Sequence, residues 1–242
     1  MLKKVIAKSL VGDVVTQIED AILNRTYKSG DKLPSQRDLQ TILGASLGTI
    51  REAVAILEQK GLIEVKKGAK GGIFIKEATT ESMSESLALL IRQLKISPTE
   101  LSEFRQVVEE GLIRLVIERA TTLEINELSK YKKEFKACLN SGSEGYKRFL
   151  KAEIRLRKRL ASIIKNQVYQ IVLEPIHENI PKYTETSPSF KDLTQEAYDD
   201  WVTILTAIEE KDVETAASAT KNHILRFAKY MENGISKFYE KE

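Results

Sequence analysis

Two groups of residues have types and spacings suited to chemistry. The first lies in ASLGTIREAVAILEQKGLIEVKKGAKGGIFI, residues 45–75. Ile50, Ala53, Val54 and Leu57 recur at i, i+3, i+4, i+7 and make one apolar stripe of a helix. At 100° per residue, Gly48, Thr49, Arg51, Glu52 and Ala55 fall on the other side. Small residues near its N-terminus let such a helix enter a DNA major groove closely. Arg51 suits a phosphate or a bidentate pair with guanine, and Thr49 a phosphate or a base edge. Pairing of Arg51 with Glu52 or Glu58 on a solvated face is the competing use. Downstream, Lys66, Lys67 and Lys70 would sit over a neighbouring phosphate backbone, and Gly68 would allow close approach to the groove edge. Arg37, upstream, is set for another phosphate.

The second group is scattered over the later sequence. Tyr146, Phe149, Leu150, Leu156, Leu160, Ala161 and Ile164 form an apolar stripe, with Glu153 and Arg157 in its middle, one turn apart. A charged pair inside a core stripe is costly unless partnered. Either the two residues bridge each other or they face a polar cavity. Arg105 sits among Leu101, Val108, Leu112 and Val116. Trp201 shares a face with Ile204, Leu205 and Ile208, and its indole N–H can donate. His223 shares a face with Ala216, Thr220 and Phe227. His177, opposite Val168, Val172 and Pro175, reads as exposed. Inward polar groups on four helices fit a shared pocket, with the guanidinium forks of Arg105 and Arg157 suited to a small anionic, carboxylate-type effector.

These residues need elements to hold them. A first helix is expected from about Lys8 to Arg25, on Val11, Val14, Val15, Ile18 and Ile22. YKSGDKLPS is a loop. Pro34 and Ser35 start a short second helix through Leu43, LGAS is a tight turn, and Ser46 caps the third helix, which ends near Lys60 and Gly61. LIEVK and GIFIK are strands around the glycine-rich turn KGAKGG. Three helices and a hairpin in about 70 residues predict a winged helix-turn-helix. EATTESMSES reads as a linker or helix entry. Beyond it the helical period dominates, with helices expected over about 81–95, 98–120, 123–139, 143–165, 167–180, 190–210 and 212–239. Tyr183–Phe190 is the most loop-like stretch there. The expected fold is mainly α: residues 1–76 a winged helix-turn-helix domain binding double-stranded DNA, residues 77–242 an all-α helical-bundle domain for effector binding and dimerisation.

Composition narrows the classes. Residues 1–76 carry 13 Lys+Arg against 8 Asp+Glu, whereas the remainder carries 25 against 27. The positive excess therefore lies where DNA would bind. The single cysteine, Cys138, excludes an internal disulfide or a cysteine metal cluster. No run approaches a membrane span, and a cytoplasmic location is expected. An enzyme is the weakest alternative. It would draw on Glu153, His223 and the Asp199–Asp200 pair, yet no phosphate loop or nucleophile elbow is present. Only 2 histidines leave little acid–base chemistry near neutral pH.

LPSQRDL, then LGASLGTIREAVAILEQKGLIEV and a glycine-rich wing, resemble the DNA-binding module of the GntR family of bacterial regulators, over about residues 8–76. The helical remainder resembles the ligand-sensing (FCD-type) domain of its FadR-like subgroup. The resemblance implies DNA contacts at Arg37, Thr49, Arg51, Lys67 and Gly68. It implies a homodimer on a pseudo-palindromic operator, usually released when effector binds. The family pattern carries arginine where this chain has Leu47, so a base or phosphate contact is either lost there or replaced by one with a thymine methyl, and the operator sequence stays open. The subgroup's metal-binding version uses an aspartate, a histidine four residues on and two further histidines. Glu153, Arg157, Trp201 and His223 occupy those positions. Arginine there repels a cation and tryptophan cannot ligate one, so no metal and no cofactor are expected. A metal-dependent sensor and an effector-free architectural DNA binder remain the alternatives.

Overall fold

The computed structural model describes residues 10–68, 70–77, 80–139, 141–180 and 190–239; the side chains of residues 82, 190–193 and 233–239 lie outside that description. The expected start of the first helix at Lys8 and most of the 183–190 loop also lie outside it. The chain forms two compact units, residues 1–79 and 80–242.

In the first unit, α1 spans Leu10–Leu23, α2 Gln36–Leu43 and α3 Leu47–Gln59, followed by strands β1 (Ile63–Lys66) and β2 (Gly72–Ile75). Local chemistry sets each boundary. Ser35 caps α2: its Oγ accepts from the Asp38 amide at 3.2 Å, and Asp38 accepts from the Ser35 amide in return. Gly44 ends α2 at φ +63°, a left-handed turn that glycine enters without a Cβ clash. Two residues later Ser46 caps α3. Val14, Val15, Ile18, Leu39, Ile50, Val54, Leu57, Ile63 and Ile73 are buried together. The stripe read from α3 is therefore its inward face. β1 and β2 pair antiparallel, Ile63 opposite Ile75 and Lys66 opposite Gly72, and Lys32 bridges to Phe74 beside them.

The regular elements described in the second unit are all helices: α4 Glu81–Gln93, α5 Pro98–Arg119, α6 Thr122–Lys136, α7 Gly142–Ile163, α8 Gln167–Asn179, α9 Phe190–Glu210 and α10 Val213–Tyr239. Ser97 caps α5 with Pro98 in its first turn, and Thr121 caps α6. α10 packs on α5 and α9, and α7 packs on α8 and α9. One apolar cluster joins Leu112, Val116, Phe135, Phe149, Leu156, Trp201, Ile204 and Ile208. Another joins Ile91, Leu101, Ile176, Ile180, Phe227 and Met231. On α5, Arg105 and Glu109 fall between Leu101 of the second cluster and Leu112 of the first, so the core is interrupted by charge.

Candidate nucleic-acid interface and buried charge cluster

In the first unit the outward face of α3 is open. Arg51, Glu52 and Ala55 are exposed and Thr49 is half-buried. Neither glutamate named above pairs with Arg51; Glu58 instead accepts from the Val65 amide at 3.0 Å, tying α3 to β1. Ser46 Oγ accepts from the Thr49 amide at 3.1 Å and lies 2.9 Å from Thr49 Oγ1. Capping thus fixes the Thr49 hydroxyl at the helix tip. Gly48 is exposed, with room for its neighbours to approach. Arg37, Leu47 and Arg51 line one groove of about 410 Å³ with Lys32, Gln36, Gly71 and Gly72. Among the described residues Arg37, Arg51, Lys67 and Lys70 are exposed and have no carboxylate partner. Gly68 stands at the exposed turn of the hairpin.

Lys66, expected over a phosphate, is exposed and makes a surface contact within the hairpin. Its Nζ lies 2.7 Å from Glu64 and 5.0 Å from the Phe74 ring centre, so a neighbouring carboxylate already answers its charge. Lys32, which the sequence reading passed over, is a structural partner of the hairpin. Its Nζ donates to the Gly71 carbonyl at 2.7 Å, and a Cβ on Gly72 would come within 2.3 Å of its Cε. The Lys32 chain could swing aside, but Gly72 also holds φ +151°, a backbone conformation that residues with a side chain rarely adopt. Nothing in the one-dimensional spacing of Lys32 signals the contact.

The second unit gathers Arg105, Glu153, Arg157 and His223 around one cavity of about 20 Å³, also lined by Leu150, Ile154, His177, Ile180 and Phe227. Arg157 Nε and Nη2 donate to Glu153 Oε1 at 3.2 and 2.8 Å, and Nη1 donates to Glu109 Oε2. Arg105 Nε donates to Glu109 Oε1 at 2.6 Å. His223 sets Nε2 3.1 Å from Glu153 and Nδ1 3.3 Å from Asp200, which also meets Arg226 at 3.2 Å. Trp201 does not line the cavity. It backs the cluster, with the Arg157 guanidinium 4.9 Å from its ring centre and the His223 ring at 5.2 Å. Its buried indole N–H has no hydrogen-bond partner among the described residues.

His177 is buried, only 2% exposed, and its Nε2 lies 3.0 Å from Glu109. The expectation of an exposed histidine was wrong because the apolar residues of α8 spread over a wide arc, so the period did not single out the buried face. Val168 and Ile171 prove exposed, and the inward face is Leu173, Ile176, His177 and Ile180. Glu109 was also missed, although its i,i+4 spacing from Arg105 on an apolar stripe was visible.

Burial and charge shift the two histidines in opposite directions. Desolvation dominates at His177 and pushes it down to about 4, so it stays neutral and donates one proton to Glu109. Desolvation also opposes the charged form of His223, but hydrogen bonds to Asp200 and Glu153 outweigh it and raise the pKa. Burial alone would raise Glu109 and Glu153; Arg105 and Arg157 override it at Glu109, and Arg157 with His223 at Glu153, holding both carboxylates well below the usual range. A metal cation does not fit this donor set. It would meet the Arg157 guanidinium and a histidine whose two nitrogens both face carboxylates.

Residues 10–75 match the gntR family of bacterial regulatory proteins, and residues 100–226 match the FCD domain. The chain belongs to the GntR family and carries an FCD domain. It is a DNA-binding transcriptional regulator. Over 222 residues it is 23% identical to the HTH-type transcriptional repressor NanR of Escherichia coli K12, covering 90% of this chain and 82% of that one. NanR of Cronobacter sakazakii is 22% identical, with 90% and 83% covered. These GntR-family relatives are regulators, not enzymes. Among solved structures, Streptococcus agalactiae GntR shares the fold at TM-score 0.70 and 24% identity, over 90% of this chain and 99% of that one. In the described residues no helix is long and apolar enough to cross a membrane.

Proposed function

We propose that the chain is a cytoplasmic repressor that binds a pseudo-palindromic operator as a homodimer. Residues 1–76 serve as its DNA-binding domain and residues 77–242 as its effector-binding and dimerisation domain. Two α3 helices enter successive major grooves, centred about 34–36 Å apart. Arg51 pairs with guanine or a phosphate, Thr49 and Ser46 hold the helix tip to the backbone, Gly48 permits close approach, and Leu47 meets a thymine methyl. Arg37, Lys67 and Lys70 hold flanking phosphates, with Gly68 at the groove edge. What carries this proposal is that Arg37 and Arg51 line one groove and, like the exposed Lys67 and Lys70 of the hairpin, are answered by no carboxylate among the described residues. The repressor names of the NanR relatives support the sign of regulation. Selection from a random duplex pool tests it: enrichment of two-fold-symmetric sites with half-sites one turn apart is expected, and enrichment of none or of unpaired half-sites contradicts it.

For the helical domain we propose a small anionic effector, held by Arg105 and Arg157 with Glu153, His223 and Trp201 around them. Supporting this are two buried guanidinium groups beside one cavity. A second reading, an effector-free DNA binder, is favoured by a different observation. Both guanidinium groups already have carboxylate partners, and about 20 Å³ admits about one water. A thermal-shift screen of organic and sugar acids separates them, because a bound ligand raises the melting temperature by mass action. A saturable rise supports the effector; a flat screen supports the second reading.

A further inference from the structure

Glu109 has the surroundings of a bound ligand. Its two oxygens collect donors from three helices: Arg105 of α5, Arg157 of α7 and His177 of α8. The residue is 3% exposed. Convergent N–H donors in a buried, partly apolar pocket are how proteins hold a free carboxylate. Arg157 divides its donors, Nε and Nη2 to Glu153 and Nη1 to Glu109. Arg105 turns to Glu109 alone among the ion pairs of the described residues. Subtracting the Glu109 carboxylate would leave Arg105 without its counter-charge and Arg157 half-answered, at the wall of a cavity that Leu150, Ile154 and Phe227 finish with apolar surface. An arginine so placed stays charged and demands an anion. The demand is for a carboxylate: Arg105, Arg157 and His177 offer N–H groups to two oxygens of one planar group.

We propose that Arg105, Arg157 and His177 form a receptor for one carboxylate, and that the chain fills it with its own Glu109 as a tethered occupant. An external carboxylate then binds by displacing Glu109, rather than by entering open space. The proposal rests on the sensor reading for its regulatory use, but the receptor itself does not. Displacement has a local consequence: Glu109 carries the ion pair of α5 with Arg157 of α7 and its hydrogen bond from His177 of α8, so an exchange of carboxylates gives up both while the apolar packing of α5 stays.

The test is chemical rescue in the purified full-length chain. Glu109→Ala removes the tethered carboxylate and leaves room for a small one. Its melting temperature is expected to fall below wild type. Formate or acetate should raise it again, saturably and on the order of 5 °C. Sodium chloride and the neutral isostere acetamide should not, and wild type should respond to none of them at the same concentrations. Glu109→Gln, which keeps the receptor filled with a neutral group, should be destabilised without rescue. If Glu109→Ala does not fold unaided, refolding with acetate gives the same readout as recovered soluble yield. A folded Glu109→Ala protein indifferent to acetate and formate overturns the proposal. So does equal rescue by acetamide, or an unfolded variant that acetate fails to recover. Failed rescue beside a positive acid in the wild-type screen removes the tethered occupant and keeps the sensor. Rescue beside a flat wild-type screen keeps the receptor and removes the effector.

Discussion

Arg51 and Arg157 each sit on a helix with one apolar face, yet they end in opposite environments. Arg51 projects from α3 into solvent beside Arg37, with no carboxylate at hand among the described residues. Arg157 is buried between Glu109 and Glu153 and lies against Trp201. The core beneath Arg51 is apolar, from Val14 to Ile75, whereas the core around Arg157 is split by charge. The difference teaches what each cation is for. An exposed cation without an internal partner is free to meet an external polyanion, and it contributes little to folding. A buried cation with its carboxylates in place is part of the scaffold, and anything external must compete with them.

The contrast breaks first at Arg157. Arg157→Ala leaves Glu109 and Glu153 short of a counter-charge, and a loss of about 3–5 kcal/mol in urea unfolding is expected. A loss under about 1 kcal/mol would mean the network does not support the fold. The histidines sharpen the picture through pH. The depressed pKa of His177 contributes stability that is present above the ordinary value of 6.5 and lost as pH falls towards about 4. The raised pKa of His223 works in reverse: its contribution is present below 6.5 and lost as pH rises through its folded value. Urea midpoints from pH 4 to 8 should show His177→Asn flattening the acid limb by on the order of 3 kcal/mol, with the limb above pH 6.5 unchanged. An unaltered acid limb would remove His177 from the account. The smallest effect belongs to the hairpin. Lys67→Ala should weaken binding to all duplexes alike and lower the salt-dependence slope by about one. A sequence-selective loss would make Lys67 a base reader instead.

Much of this was legible in the sequence because it is local. The stripe of α3, the helix starts at Ser35 and Ser46, and the tight turn at Gly44 each depend on residues close along the chain. The inward placement of Glu153 and Arg157 followed from the same periodicity. What escaped depends on distant partners. Lys32 reaches Gly71 across 39 residues, and Glu109 meets Arg157 across 48. His177 escaped for another reason: α8 has apolar residues on several faces, so its period did not choose one. The consequence was that the arginines were read as open to an anion, when Glu109 already stands between them.

Arg51 is the residue through which α3 is proposed to read DNA. The direct measurement is a mobility-shift titration of wild type and Arg51→Ala on the selected operator and on a scrambled duplex, with melting temperatures taken in parallel. The account predicts a loss of about 1–3 kcal/mol in operator affinity, reduced discrimination between the two duplexes, and an unchanged melting temperature. Wild-type affinity and discrimination in Arg51→Ala would contradict it.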